Sequence, residues 1–310
     1  MKKGYMIASI SALVLLMCVG VFWGNGSLGV GSKDIMLEVR FPRVLLAVLV
    51  GASLAGSGAI MQLAFRNVLV DPFLLGISSG AAFGCALSIW LFDSSMLSVL
   101  AFIGSFGAIV CVMCIAHICG KSTTALILSG VVLSAFFSAL SGYIKFFVEP
   151  QKAQAIVIWL LGNLNTAQWS DVWVASIGFV VGFVPLWLMR WKLNVFALSD
   201  EQALSFGVSI RRFRLFVLFC ISFAIALCVS VSGVIGWIGL VMPHIARAIF
   251  GSDMRVLLPG SLVLGAIALL VADSIARNIA SFDIPVGIIT AILGAPCFLF
   301  LLIRLGYVKS

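Results

Sequence analysis

Charge is what this chain has least of. Of its 310 residues only 10% are Asp, Glu, Lys or Arg, and histidine occurs twice. A soluble domain carries about 25% charged and about 45–50% apolar residues. Here 63% are apolar, and the mean hydropathy is +1.24. So few charges cannot cover a water-facing surface of this size, so the outer surface faces lipid. A cytosolic enzyme, a nucleic-acid binder and a disordered tail protein are excluded. Acids are scarcer than bases, 11 against 19, for a net charge of +8. In an apolar chain that excess suits loops lying against an anionic leaflet.

Long polar segments are missing as well. The longest polar inner loop, 191–213, leaves no room for a folded catalytic domain. No phosphate-cradling Walker sequence is present. Gly120-Lys121-Ser122-Thr123 matches only the tail of one, with a single glycine ahead of the lysine. Any ATPase that drives this protein is therefore a separate chain, and neither catalytic residues nor a cofactor are expected. The eight cysteines lie in or beside apolar runs. Cys111, Cys114 and His117 share a helical face, but Cys119 falls well round the helix from Cys114. These thiols read as small hydrophobes rather than metal ligands.

What the sequence has in abundance is apolar runs. A bilayer core takes about 20 helical residues to cross, and its lack of water forces every backbone amide into a helix. Runs at about 3–24, 41–62, 74–92, 96–118, 123–147, 171–190, 214–233, 234–250, 256–278 and 286–305 predict ten crossings in a single permease domain, 1–310. The first run is read as a helix, not a leader. The shorter stretch 153–166 predicts a partial helix on the outer side. With the N-terminus inside, thirteen basic residues fall on inner segments and six on outer ones. That split predicts both termini in the cytoplasm of an inner-membrane protein.

Several polar residues stand out against this background, because each is costly in lipid without a partner. Gln62 and Asn67 precede Asp71-Pro72, where the proline ends helical continuation, so 62–76 reads as a broken connection able to line a pathway. Asp273 and Arg277 are an i,i+4 pair able to neutralise one another. Pro243-His244 with Arg247 one turn on reads as a structural histidine or a gate. Arg40-Phe41-Pro42-Arg43 opens the second run. Its arginines suit either acidic knobs of a partner or lipid headgroups. In the inner loop, Ser199 is placed to cap a short helix over Asp200, Glu201 and Gln202. Ala203, Leu204, Phe206 and Val208 then suit a membrane surface or a partner's groove. Glycines such as Gly51, Gly58, Gly76, Gly80 and Gly84 suit close helix packing.

These motifs together resemble the FecCD family of ABC importer permeases. The resemblance covers nearly all the chain. It is carried by Arg40-x-Pro42-Arg43, by Gly51-x-x-Leu54-Ala55-x-x-Gly58-x-x-x-Gln62, and by Asn67-x-Leu69-x-x-Pro72-x-x-Leu75-Gly76. Later come Trp159-x-x-Gly162, then Gly236-Trp237-Ile238-Gly239-Leu240-Val241-x-Pro243-His244-x-x-Arg247, Asp273-x-x-Ala276-Arg277 and Gly294-Ala295-Pro296. Departures are Val68 in place of proline, Asn163 in place of serine and Asp283 in place of glutamate.

The resemblance implies an all-α fold like that of the vitamin B12 importer permeases and a homodimer enclosing a translocation path. It also implies a cytoplasmic ATPase dimer and an extracytoplasmic substrate-binding protein as partners. Arg40, Arg43 and Arg277 match positions that receive the binding protein. Asn67 and Leu69 match one cytoplasmic gate, and Ser122 with Thr123 the other. Asp200, Glu201, Gln202, Ala203, Leu204 and Gly207, within the coupling loop 191–213, match the part seated in the ATPase. The cargo so implied is a metal chelate, most often a ferric siderophore, with haem, vitamin B12 or an oxyanion as alternatives. An ion-coupled secondary transporter, with Asp273 as its buried acid, and a channel or purely structural membrane protein are the rival classes.

Overall fold

The computed structural model describes residues 2–24, 27–28, 33–119, 123–198, 200–279 and 284–304. Fourteen α-helices follow in order among them. These are α1 (Lys2–Phe22), α2 (Lys33–Ile35), which runs through a π-helical turn at Met36–Arg40 into α3 (Phe41–Ala64), α4 (Ile77–Phe92), α5 (Leu97–Ile118), α6 (Thr123–Phe147), α7 (Pro150–Leu160), α8 (Trp169–Leu188), α9 (Arg190–Leu193), α10 (Asp200–Ser205), α11 (Ile210–Ser232), α12 (Ile238–Phe250), α13 (Met254–Ile279) and α14 (Val286–Arg304). One two-residue ribbon, Trp23–Gly24 with Ser27–Leu28, is the only strand pairing described.

The apolar runs become these helices nearly residue for residue, because the helix is the one backbone state that closes its own hydrogen bonds in hydrocarbon. Among the described residues seven helices are long and apolar enough to cross a bilayer. Three of the ten expected crossings are shorter: α4 has 16 residues, α12 has 13, and the described apolar stretch of α14 is Val286–Leu301. Residues 233–237 stay out of helix, with Gly233 at φ +69° and Trp237 at φ +72°. The chain therefore enters α12 four residues later than the apolar run begins. The segment read as a partial helix is α7, which ends at Leu160 before a turn at Gly162.

α3 is the axis of the bundle, with 83% of its span buried against 6% for α1, which lies on the outside. Two close crossings explain the glycines of α3. A Cβ on Gly51 would lie 2.4 Å from the Gly265 carbonyl oxygen of α13, and one on Gly58 would lie 1.8 Å from that of Gly239 in α12. Only hydrogen fits at such approaches. α3 and α13 run antiparallel, since Arg43 near the start of one meets Asp273 near the end of the other.

Candidate functional site

The singled-out residues gather at the two ends of α3. At its N-terminal end Pro42 occupies the first turn, where a missing amide costs nothing. One turn of the chain then aims two arginines differently. Arg40 is half-exposed and donates to Val21 O at 3.4 Å. Arg43 is buried. Its Nε donates to Asp273 Oδ1 at 2.9 Å, and a second nitrogen lies 2.8 Å from the same oxygen. Arg277 approaches the other oxygen of Asp273 at 3.1 Å and donates to Gly20 O of α1 at 3.2 Å. Asp273 is fully buried. The i,i+4 pair read from sequence is present, but it is a triad with a third member from α3. A buried carboxylate needs compensating charge, and Arg43 and Arg277 turn inward to supply it.

At the opposite end, α3 runs out at Ala64 and the connection to α4 is lashed down from three sides. Gln62, buried, donates from Nε2 to Leu240 O at 3.2 Å and accepts from Arg247 Nη2 at 3.1 Å, tying α3 to α12. His244 Nε2 donates to Val68 O at 2.9 Å. Arg66 Nε donates to Phe196 O at 2.9 Å, and its Nη2 donates to Leu198 O. His244 and Arg247 thus act as ties between α12 and this connection. Pro243 is buried within α12. Pro72 is buried against Gly239, where a Cβ would come within 2.7 Å of its ring.

Between these ties the chain turns tightly. The side chain of Asn67 accepts from Leu69 N–H at 2.9 Å, and Leu69 is exposed. Asp71 caps the short turn Pro72–Leu75 by accepting from Phe73 N–H at 2.8 Å. Burial pushes the Asp71 carboxyl up to about 6, and the Phe73 hydrogen bond works in the other direction.

Ser122 lies outside the described residues, as do Ser199 and Asp283. Thr123 opens α6, and its Oγ1 accepts from Arg214 Nη1 at 3.0 Å. α10 covers Asp200–Ser205 and is closed by Gly207 at φ +72°. The N–H of Val208 reaches back to Ala203 O at 3.0 Å. Ala203 is buried, Gln202 and Leu204 are exposed, and so is Phe206 just beyond.

Sequence reasoning missed Arg66 as anything beyond a charge. It also missed Asn194, which accepts from Met254 N–H and donates to Asp253 Oδ1, both at 2.9 Å, fastening the loop 191–213 to the start of α13. The Asn-Val at 194–195 gave no periodic or motif signal. A cavity of about 240 Å³ bounded by α4, α6, the end of α7 and Val234, with Ser78, Ser79, Ser138, Ser141 and Lys145 as its polar lining and Ala82, Leu160 and Val234 as its apolar one, went unread too. No group of three His, Cys, Asp or Glu among the described residues is placed to hold a metal ion. Cys111, Cys114 and Cys119 are exposed, unpaired thiols.

The model of the FecCD transport family matches residues 7–304. The chain belongs to the FecCD transport family. As a FecCD member it is a membrane transport subunit, not an enzyme. It is 56% identical over 270 residues, 87% of its own length and 82% of the relative's, to a probable iron chelatin transport system permease protein of Helicobacter pylori. It is 41% identical over 288 residues to the hemin transport system permease protein HmuU of Yersinia pestis, covering 90% of this chain and 86% of that one. The fold superposes with a TM-score of 0.91 and 33% identity on a protein described as a putative metal-chelate type ABC transporter, in an inward-facing conformation, over 97% of this chain and 99% of that one.

Proposed function

We propose that this FecCD permease is the membrane half of an importer for a metal chelate, a ferric siderophore as is commonest in the family, driven by a separate ATPase dimer. The observation that carries the reading is the near-complete likeness to a metal-chelate type ABC transporter, and the iron chelatin and hemin relatives support the cargo class. Two copies enclose the path. Each crosses the inner membrane ten times as one permease domain, with α4, α12 and α14 as short crossings and both termini in the cytoplasm.

A loaded binding protein docks at the N-terminal end of α3. Arg40 makes contact there, and Arg43 and Arg277 hold the rim from beneath through Asp273. Asn67 and Leu69, with Ser122 and Thr123, form the cytoplasmic constrictions. The stretch from Asp200 to Val208, within loop 191–213, seats in the ATPase. What supports that last assignment is a six-residue helix with Leu204 and Phe206 bare beside it and no covering element described. Against an ion-coupled carrier stands Asp273, the acid such a carrier would titrate, which is compensated by two arginines.

The test is uptake by proteoliposomes containing the permease, its ATPase and its binding protein, offered a ferric siderophore, hemin, vitamin B12 and molybdate in turn. ATP-dependent uptake of an iron chelate in preference to the other cargoes is expected. Uptake that follows a proton or sodium gradient with the ATPase left out would sink the proposal.

A further inference from the structure

We propose that Arg66 is a positioning residue that couples the ATPase-seated loop to the gate turn. The inference rests on the importer reading above. Arg66 stands at the residue after the C-cap of α3 in the left-handed region, at φ +50°. Around it Asn67 N–H reaches back to Gln62 O at 3.0 Å, and its own N–H to Leu63 O at 3.1 Å. That is the helix-ending turn in which glycine is the favoured residue, because any Cβ is strained there. An arginine is the poorer choice for the backbone. Its side chain supplies what glycine cannot, hydrogen bonds to the carbonyl oxygens of Phe196 and Leu198.

Those two carbonyls belong to the segment that leads directly into α10. The segment is stiff: Phe196 is buried and stacked on Phe213 of α11 at 5.2 Å, and Asn194 is fastened to Asp253 and Met254. One residue beyond Arg66 the chain becomes the Asn67–Leu69 turn, whose far side is held by His244 through Val68 O. A displacement of α10 is therefore delivered through a two-pronged guanidinium to the residue that begins the gate turn, while His244 and Gln62 keep the α12 side fixed. A planar fork holding two acceptors transmits a shift of the loop in direction as well as distance.

The position itself provides the decisive variant. Arg66→Gly keeps, and relaxes, the backbone turn while removing the strut. Arg66→Lys keeps the charge with a single prong. In the complete transporter reconstituted with its ATPase and binding protein, Arg66→Gly should still fold, assemble and hydrolyse ATP. Its uptake per ATP should fall about fivefold or more, the size of a typical coupling energy, and Arg66→Lys should fall between the two. Unchanged uptake per ATP in Arg66→Gly would overturn the inference. So would a loss of uptake that simply follows a lowered melting temperature. If the unaltered transporter itself shows no ATP-driven uptake, the importer reading fails instead.

Discussion

A guanidinium nitrogen of Arg43 lies 2.8 Å from the carboxylate of Asp273, in a contact between two helices whose residues are 230 positions apart in the chain. With Arg277 closing on the other oxygen at 3.1 Å, the buried acid is held from two directions. Taking one member from a buried ionic group leaves uncompensated charge in a low-dielectric site, which costs about 3–5 kcal/mol. Asp273→Asn should therefore lower the melting temperature of the purified permease sharply and reduce its yield in the membrane.

Arg40, half-exposed on the same turn, behaves differently. Arg40→Glu should leave the melting temperature unchanged, since surface substitutions stay within about 0.5 kcal/mol. It should weaken capture of the binding protein, read by co-sedimentation with permease-containing vesicles. A large stability loss from Arg40→Glu, or unchanged capture, would contradict the division of labour between the two arginines.

The crossing of α3 and α12 makes a steric prediction. A methyl at Gly58 would fall 1.8 Å from Gly239 O, whereas one at Gly107 meets nothing within 4 Å. Gly58→Ala should destabilise by about 1–3 kcal/mol or more through forced separation of the helices. Gly107→Ala should be neutral or stabilise by up to about 1 kcal/mol through helix propensity alone. Thermal melts of the two variants side by side check the pair.

Helix positions were legible because lipid leaves the backbone one option: the run 123–147 is α6, Thr123–Phe147, and 41–62 is α3 to within two residues. The i,i+4 pairing of Asp273 with Arg277 was legible for the same reason, being local to one helix. What spacing could not reveal is which distant helix adds Arg43 to that pair, and so which way its side chain points. Gln62 was singled out as polar in an apolar run, yet its partners Leu240 and Arg247 come from α12. Arg66 was invisible because its role depends on a left-handed turn and on two backbone carbonyls, which carry no residue identity. Composition did not fix where α12 begins, since Gly233 to Trp237 is apolar enough to be helix, while Gly233 and Trp237 stand at positive φ and the helix starts at Ile238.

Asp71 sets a pH dependence. Its carboxyl is pushed up to about 6 from an ordinary value of 3.8, chiefly by burial. The folded state thus holds its proton more tightly than the unfolded chain. The stabilising contribution is complete below pH 3.8 and is lost as pH rises through about 6. Asp71→Asn keeps an acceptor for Phe73 N–H but cannot ionise. Relative to the unaltered protein it should be more stable at pH 7.5 than at pH 4.5, by at most about 3 kcal/mol in the difference. Melting curves across that range check the sign, and a gap that narrows with rising pH would refute it.

Leu204 and Phe206 are 63% and 69% exposed, in α10 and just beyond it, while Ala203 is fully buried. Apolar side chains left bare at the end of a six-residue helix contribute little to the fold of the single chain, so their substitution separates docking from stability. Leu204→Asp with Phe206→Asp should leave the melting temperature of the isolated permease in place. It should weaken binding of the ATPase by about 30-fold or more, the effect of losing a central apolar anchor worth about 2 kcal/mol. Ala203→Asp, by contrast, buries a charge and should lower both together. Titration of the ATPase onto permease held in nanodiscs, with melts of the same samples, distinguishes the two patterns. If the double variant bound the ATPase as tightly as the unaltered chain, the coupling contact would have to lie elsewhere than α10.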